Sequence, residues 1–260
     1  MVQNKKIFEA KAVARGYALQ SHLQPPEETI LRELLPHLPP ARMLDIGVGG
    51  GRTTLHFAKW VREYVGTDYS ESMIAECRKR FSGYPDSLTF QACDARDMGR
   101  FADGTFDFVL FSFNGIDCVS HADRAKILQE IHRVGKPGGY FCFSAHNLNW
   151  AANLFEWRRM LSWNPKFAVR TAKRFLLRIL YNWRIRSATF RAAAHLIFND
   201  GAHYRQMQIY YIRPQAQLEA LQANFVDIRI FALATGAELK DPDEVKRNED
   251  VWLYYLCRFK

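Results

Sequence analysis

The segment Leu44-Asp45-Ile46-Gly47-Val48-Gly49-Gly50-Gly51-Arg52 turns an apolar run carrying a single acid into four glycines within five residues. Residues 42–48, bounded by Pro39-Pro40 before and by glycine after, read as a short strand buried on both faces. Upstream, Ile30, Leu31, Leu34 and Leu35 recur at helical spacing within residues 27–38, and the proline pair stops that helix. Downstream, the patterning predicts a helix over 53–61, a strand over 65–70, a helix over 72–81 and strands over 88–93 and 106–112. A helix over 124–134 and a strand over 140–146 follow, the strand entered through Gly138-Gly139. Strands alternating with single helices require right-handed crossovers, so the first 147 residues read as α/β, a doubly wound sheet. A helix over 214–223 and strands over 226–233 and 252–259 complete the sheet edge.

The chain has 260 residues, 48% hydrophobic and 24% charged, which excludes a disordered or fibrous protein. The first twenty residues hold no apolar signal core, and no run of about 18 uncharged apolar residues occurs. Neither a signal peptide nor a spanning helix is expected. Cys77, Cys93, Cys118, Cys142 and Cys257 stand singly, without a C-x-x-C pair or a histidine at ligand spacing. That argues against a disulfide framework or a metal site and fits a cytoplasmic location. Cys93 and Cys142 lie in apolar strand-like runs, where cysteine serves as a small hydrophobe rather than a nucleophile.

The net charge of +9 is unevenly spread. Residues 151–213 hold twelve Lys/Arg against Glu156 and Asp200, a local balance of +10, and are rich in aromatics. This stretch reads as an inserted subdomain.

Glycines between a strand and a helix permit positive φ and let a ligand reach the backbone, while free amides at the helix start attract polar groups. The same turn can also serve only to pack helix on strand. A dinucleotide fingerprint G-x-G-x-x-G counted from Gly47 needs glycine at position 52, where Arg52 stands, and no Lys-Ser or Lys-Thr follows for a phosphate loop.

Asp45, Gly47, Gly49 and Gly51 instead resemble the first motif of the class I S-adenosylmethionine-dependent methyltransferases, an acid two residues ahead of G-x-G-x-G. The resemblance implies S-adenosyl-L-methionine as cofactor, S-adenosyl-L-homocysteine as product and a seven-stranded Rossmann-like sheet. Asp68 in VGTDYS matches the family's ribose-binding acid, a carboxylate suited to two hydrogen bonds from a vicinal diol; Tyr69 is beside it. Asp94 and the amide of Ala95 match the adenine contacts. Met73 reads as an adenine cover or a core methionine. Residues 106–117, FDFVLFSFNGID, resemble the fourth motif, with Phe113 and Asn114 at its end, Asn114 hydrogen-bonding a ligand or only forming the turn. Residues 133–147 resemble the helix-turn-strand bearing L-x-P-G-G, with Gly135 in place of the usual apolar residue. Tyr17 resembles an aromatic that some members fold over the cofactor. The match spans about residues 41–147 and is silent on the acceptor.

Methyl transfer from a sulfonium needs mainly alignment, and an acceptor hydroxyl adds the need for a base. His121, His146, His195 and His203 are candidates, each also readable as a packing or capping residue, with His146 and His203 foremost. The N/D-P-P-Y/F sequence of base-amino methyltransferases is missing, since Phe113-Asn114-Gly115-Ile116 stands there. Within the insert, Ala172, Phe175, Leu176, Ile179, Leu180 and Trp183 fall at helical spacing, with Arg170, Lys173, Arg174 and Arg178 on other faces. Such a helix packs its stripe on the core as a lid, binds an anionic or aromatic acceptor, meets a membrane surface, or holds a nucleic-acid backbone.

The expected organisation is an N-terminal helical segment over the cofactor (1–40), a cofactor-binding core (41–147), a basic, aromatic, helical lid after the fifth strand (148–213), and a last helix with the C-terminal strand pair (214–260). The expected activity is methyl transfer to a small metabolite, a glycan or a lipid-linked acceptor, in the cytoplasm or peripheral to a membrane. Rival readings are an RNA methyltransferase gripping its substrate through the insert, and a non-catalytic S-adenosylmethionine-binding regulator.

Overall fold

The computed structural model describes residues 7–152, 154, 165–185, 187–201 and 207–260. Helices α1 (Lys11–Ala18) and α2 (Pro25–Leu34) precede strand β1 (Arg42–Ile46). Short helix α3 (Thr54–Phe57), β2 (Glu63–Asp68), α4 (Glu71–Arg80), β3 (Leu88–Ala92), β4 (Phe106–Phe111), α5 (His121–Val134) and β5 (Gly135–His146) follow. The insert contributes α6 (Leu148–Ala152), α7 (Pro165–Tyr181), α8 (Ser187–Ala192), β6 (His195–Phe198) and β7 (Ile209–Ile212). Helix α9 (Pro214–Leu221), β8 (Phe225–Ala232), α10 (Pro242–Arg247) and β9 (Trp252–Phe259) close the chain.

Seven strands form one sheet in the order β3-β2-β1-β4-β5-β9-β8. Strands β1 to β5 pair in parallel, and β9 enters antiparallel between β5 and β8. The alternation of side chains along each strand divides the core in two. Leu44, Ile46, Val109 and Phe143 pack on one face. Met43, Phe108, Leu110 and Cys142 pack on the other, beneath α2 and α4. The chain leaves β1 for β2 on one side and returns through β4 on the other. That reversal opens a crevice beyond the carboxyl ends of the strands, where open α/β sheets bind ligands.

The insert after β5 is helical, as expected, and adds a strand pair to its helices. Its β6 and β7 form a separate antiparallel pair, and Phe190, Phe198, Met207, Ile209 and Tyr211 build a third small core with Leu148 and Ala151. Of the apolar residues at helical spacing, Ala172 and Phe175 are half-buried, while Leu176, Ile179 and Leu180 on α7 and Trp183 just after it are exposed. The inward contacts are polar: the Arg178 guanidinium donates to the Leu154 and Asp200 carbonyls, and Asn182 exchanges hydrogen bonds with the Asn199 backbone. Among the described residues, no helix is long and apolar enough to cross a membrane.

Candidate active site

The glycine loop is held from below. Asp45, fully buried at the end of β1, accepts hydrogen bonds at Oδ2 from the hydroxyls of Thr53 and Tyr64, fastening the far side of the loop to β1 and β2. Burial pushes its pKa up to about 6 against the pull of those hydroxyls. Gly49 has φ of +56°, and the Tyr17 ring from α1 is 3.5 Å from where a Cβ would stand. The positive φ would strain a side chain here, while its Cβ would meet the aromatic beside the loop only in ordinary contact.

Asp68 ends β2 beside that loop. Its Oδ2 accepts from the Gly49 amide at 3.0 Å and its Oδ1 from the Ser70 amide at 2.9 Å. A carboxylate offers about four acceptor positions, so two remain for a ligand diol. Burial raises its pKa to about 6, with the Ser70 and Gly49 amides opposing. Ser70 also caps α4, accepting from the Met73 amide, which fixes Met73 on the helix after the acid.

Arg52, the residue that breaks the dinucleotide fingerprint, makes a two-pronged buried ion pair with Glu27 of α2, at 2.6 and 2.7 Å. Ser112, at the end of β4, and Tyr254, of β9, both donate hydroxyls to the same Glu27 oxygen. Burial alone would raise the Glu27 pKa, but the hydrogen bonds and charge of Arg52 override it and hold it below the ordinary value. The network joins α2, the glycine loop, β4 and β9 at one point. Just beyond it, Phe113 and Asn114 adopt φ of 57° and 61°, uncommon for residues other than glycine. The Asn114 amide donates to Ser144 at 2.8 Å, and the Arg52 guanidinium stacks 5.1 Å from the Phe113 ring.

His146 ends β5. Its Nδ1 is 2.9 Å from Oδ2 of Asp117, an aspartate with no solvent exposure that also takes the His146 backbone amide at 2.6 Å and the Arg124 guanidinium at 3.4 Å. With Nδ1–H given to the carboxylate, the neutral ring keeps its lone pair on Nε2. Tyr211 and Trp252 pack against the ring at 4.8 and 6.0 Å.

These parts line one cavity of about 950 Å3, at the upper end of the range for small-molecule sites. Of the residues expected to touch a ligand, Tyr17, Asp45, Gly47, Gly49, Asp68, Tyr69, Met73, Asp94, Ala95, Phe113, Asn114 and His146 line it. Gly51 does not. Its φ is +77°, and the Phe81 ring comes within 2.4 Å of the place of a Cβ, so packing alone calls for glycine there. Asp94 is bound by Arg96 at 2.6 Å and shares its carboxylate with that cation. His121 stacks on His195 at 4.1 Å and meets the Tyr210 hydroxyl, away from the cavity lining. His203 lies outside the described residues.

Three buried polar atoms on the cavity wall, Asn114 Oδ1, the Tyr69 hydroxyl and Trp252 Nε1, have no hydrogen-bond partner among the described residues. Buried polar groups are nearly always paired, so these atoms are available to a ligand with matching polar atoms. The described lining carries carboxylates from Glu9, Asp45, Asp68, Asp94 and Asp200. Its only guanidiniums, Arg52 and Arg96, are both ion-paired. Sequence reasoning missed Glu27, Asp117 and Trp252. Only Asp117 had a signal, its place in the FNGID turn, and nothing local linked it to a histidine 29 residues on.

A glycine loop at the switch of strand order, with an acid closing the neighbouring strand, is the arrangement of the class I S-adenosylmethionine-dependent methyltransferases. Over these elements the chain resembles that family, whose cofactor is S-adenosylmethionine. The methyltransferase domain profile matches residues 43–139. The ubiquinone/menaquinone biosynthesis C-methyltransferase of Desulfotalea psychrophila is 34% identical over 102 residues, 38% of each chain. Norajmaline N-methyltransferase of Rauvolfia serpentina is 36% identical over 107 residues, 40% of this chain and 35% of the other. The chain thus spans little more than a third of the length of these curated relatives. Among solved structures, an S-adenosylmethionine-dependent methyltransferase from Mesorhizobium loti superposes with a TM-score of 0.60 at 18% identity, covering 90% of this chain and 97% of that one. The 1,6-didemethyltoxoflavin-N1-methyltransferase of Burkholderia thailandensis reaches 0.53 at 17% identity, covering 99% and 82%. At such identities these likenesses speak for the fold alone.

Proposed function

We propose that this protein moves a methyl group from S-adenosylmethionine to a small organic acceptor with a flat apolar or aromatic body, and that His146 receives the acceptor's proton. One observation carries the reading: the glycine loop, the Asp68 carboxylate and the Asp117-held His146 ring all line a single cavity. The cofactor supplies an electrophilic methyl group on a sulfonium. Asp68 would hold the ribose diol, Met73 the adenine face, and Asp94 with the Ala95 amide the adenine edge. Asn114 Oδ1 offers a buried acceptor for a cationic group, and Tyr17 covers the loop. Holding two reactants in line is worth up to about 7–11 kcal/mol in well-oriented systems, so alignment carries most of the work.

Asp117 is a positioning residue: it keeps the proton on Nδ1 and leaves Nε2 basic. The acceptor is therefore a group that must lose a proton, such as a hydroxyl. Phe111, Phe113, Val119, Met207, Ile209 and Trp252 on the wall favour an apolar or aromatic body over a glycan, and the carboxylate-rich lining disfavours a strongly anionic one. The relatives named for quinone and alkaloid methylation agree with that choice. A lipid-linked acceptor fits if its reactive head is flat and uncharged.

The test is transfer of labelled methyl from the cofactor into a small-molecule extract, followed by mass spectrometry of the labelled product. His146→Ala and Asp117→Asn should lower kcat by about 10²–10⁴-fold with unchanged cofactor affinity. Wild-type rates in both variants would remove the base. Cofactor binding without any labelled product would favour a regulator, and label in RNA would favour the nucleic-acid reading.

A further inference from the structure

The basic excess of the insert does not face the cavity among the described residues, which leaves open what it faces. Residues 165–186 hold seven Lys/Arg and no acid. Leu176, Ile179 and Leu180 on α7 and Trp183 in the turn that follows it repeat at intervals of three and four residues and so share one face. They are 60%, 42%, 67% and 71% exposed, with Tyr181 beside them at 56%. Arg184 is exposed and stacks its guanidinium 5.0 Å from the Trp183 ring. A lid helix buries its apolar stripe. Here Phe175 is half-buried while Leu176, Ile179, Leu180 and Trp183 are outermost, and the inward side is tied by Arg178 and Asn182.

We propose that this outer face of α7 docks the protein on an anionic lipid surface, with Leu176, Ile179, Leu180 and Trp183 entering the interface and Arg184 beside them meeting the headgroups, within a segment whose net charge is basic. Charge selects this occupant. A second copy would set two cationic helices against each other, and a nucleic-acid backbone would leave four large apolar side chains without a partner. An anionic bilayer satisfies both halves of the helix, the apolar face by burial and the cations by attraction. Asn182 and Arg178 grip Asn199 and Asp200, and Asp200 lines the cavity, so the docked helix is joined directly to the cavity wall. The proposal does not depend on the identity of the acceptor or on turnover.

The experiment is co-sedimentation of the full chain with vesicles of equal parts phosphatidylglycerol and phosphatidylcholine, against vesicles of phosphatidylcholine alone. The expected result is at least about tenfold tighter association with the anionic vesicles, weakening as salt rises. Leu180→Glu should weaken it, and the triple variant Leu176→Glu, Leu180→Glu, Trp183→Glu should abolish it, both keeping wild-type circular dichroism and S-adenosylhomocysteine affinity. Equal affinity for the two vesicle types, or anionic binding that survives in the folded single and triple variants, would overturn the proposal. So would absence of vesicle binding with a dimer, or an RNA complex, that the substitutions disrupt.

Discussion

Asp68 is poised between two charge states. Its carboxyl is raised to about 6 by burial, while in the proposed site a ribose diol would donate to the ionised form. Protonation would then compete with the cofactor. Affinity for S-adenosylhomocysteine should be flat above about pH 7 and fall roughly tenfold per unit below pH 6, measured by calorimetry. Asp68→Asn should flatten that profile, and Asp68→Ala should cost about 2–3 kcal/mol of binding. Unchanged affinity in Asp68→Ala would remove the carboxylate from the site. The identity of this residue was legible because its position after the second strand is local in sequence. The orphaned Asn114 Oδ1 was not, since only the packed wall strips it of partners.

At the scale of elements, the Glu27–Arg52 pair clamps α2 to the glycine loop. Arg52→Ala leaves a carboxylate buried without its partner and should destabilise the fold by about 3–5 kcal/mol in denaturant titration. Arg52→Lys should restore little, because an ammonium lacks the two-pronged geometry. The Glu27 pKa is below its ordinary value of 4.5 in the folded state, so the pair's contribution is full above that value and is lost as pH falls through the folded pKa. The Arg52→Ala variant should lack that acid-side loss. Strands β1 to β5 could be read from the sequence because each is a short apolar run cut off by glycine, proline or a helix signal. The pairing of β6 with β7 could not. These strands of four residues lie in an aromatic stretch where helix and strand patterns overlap, and only the third small core selects between them. The outward stripe of α7 escaped for a related reason: spacing shows that a helix has an apolar face, not which way that face points.

Over the whole molecule, the crevice at the strand-order reversal is the part that sequence foretold most fully, through the order and spacing of the matched segments. Its acceptor side, built from the ends of β4, β5 and β9 with the insert, depends on contacts between distant segments and needed the fold. A ligand bound only by the native state stabilises it by mass action. S-adenosylhomocysteine at a hundredfold excess over its Kd should add about 2.7 kcal/mol and raise Tm by several degrees. NAD, disfavoured by the arginine at the fingerprint position 52, should leave Tm unchanged.

The most direct measurement is a crystal structure of the protein with S-adenosylhomocysteine. The expected result is the nucleoside across the ends of β1 and β2, both ribose hydroxyls on the Asp68 carboxylate and the sulfur facing the space before His146. A ligand bound elsewhere, or a ribose out of reach of Asp68, would contradict the account.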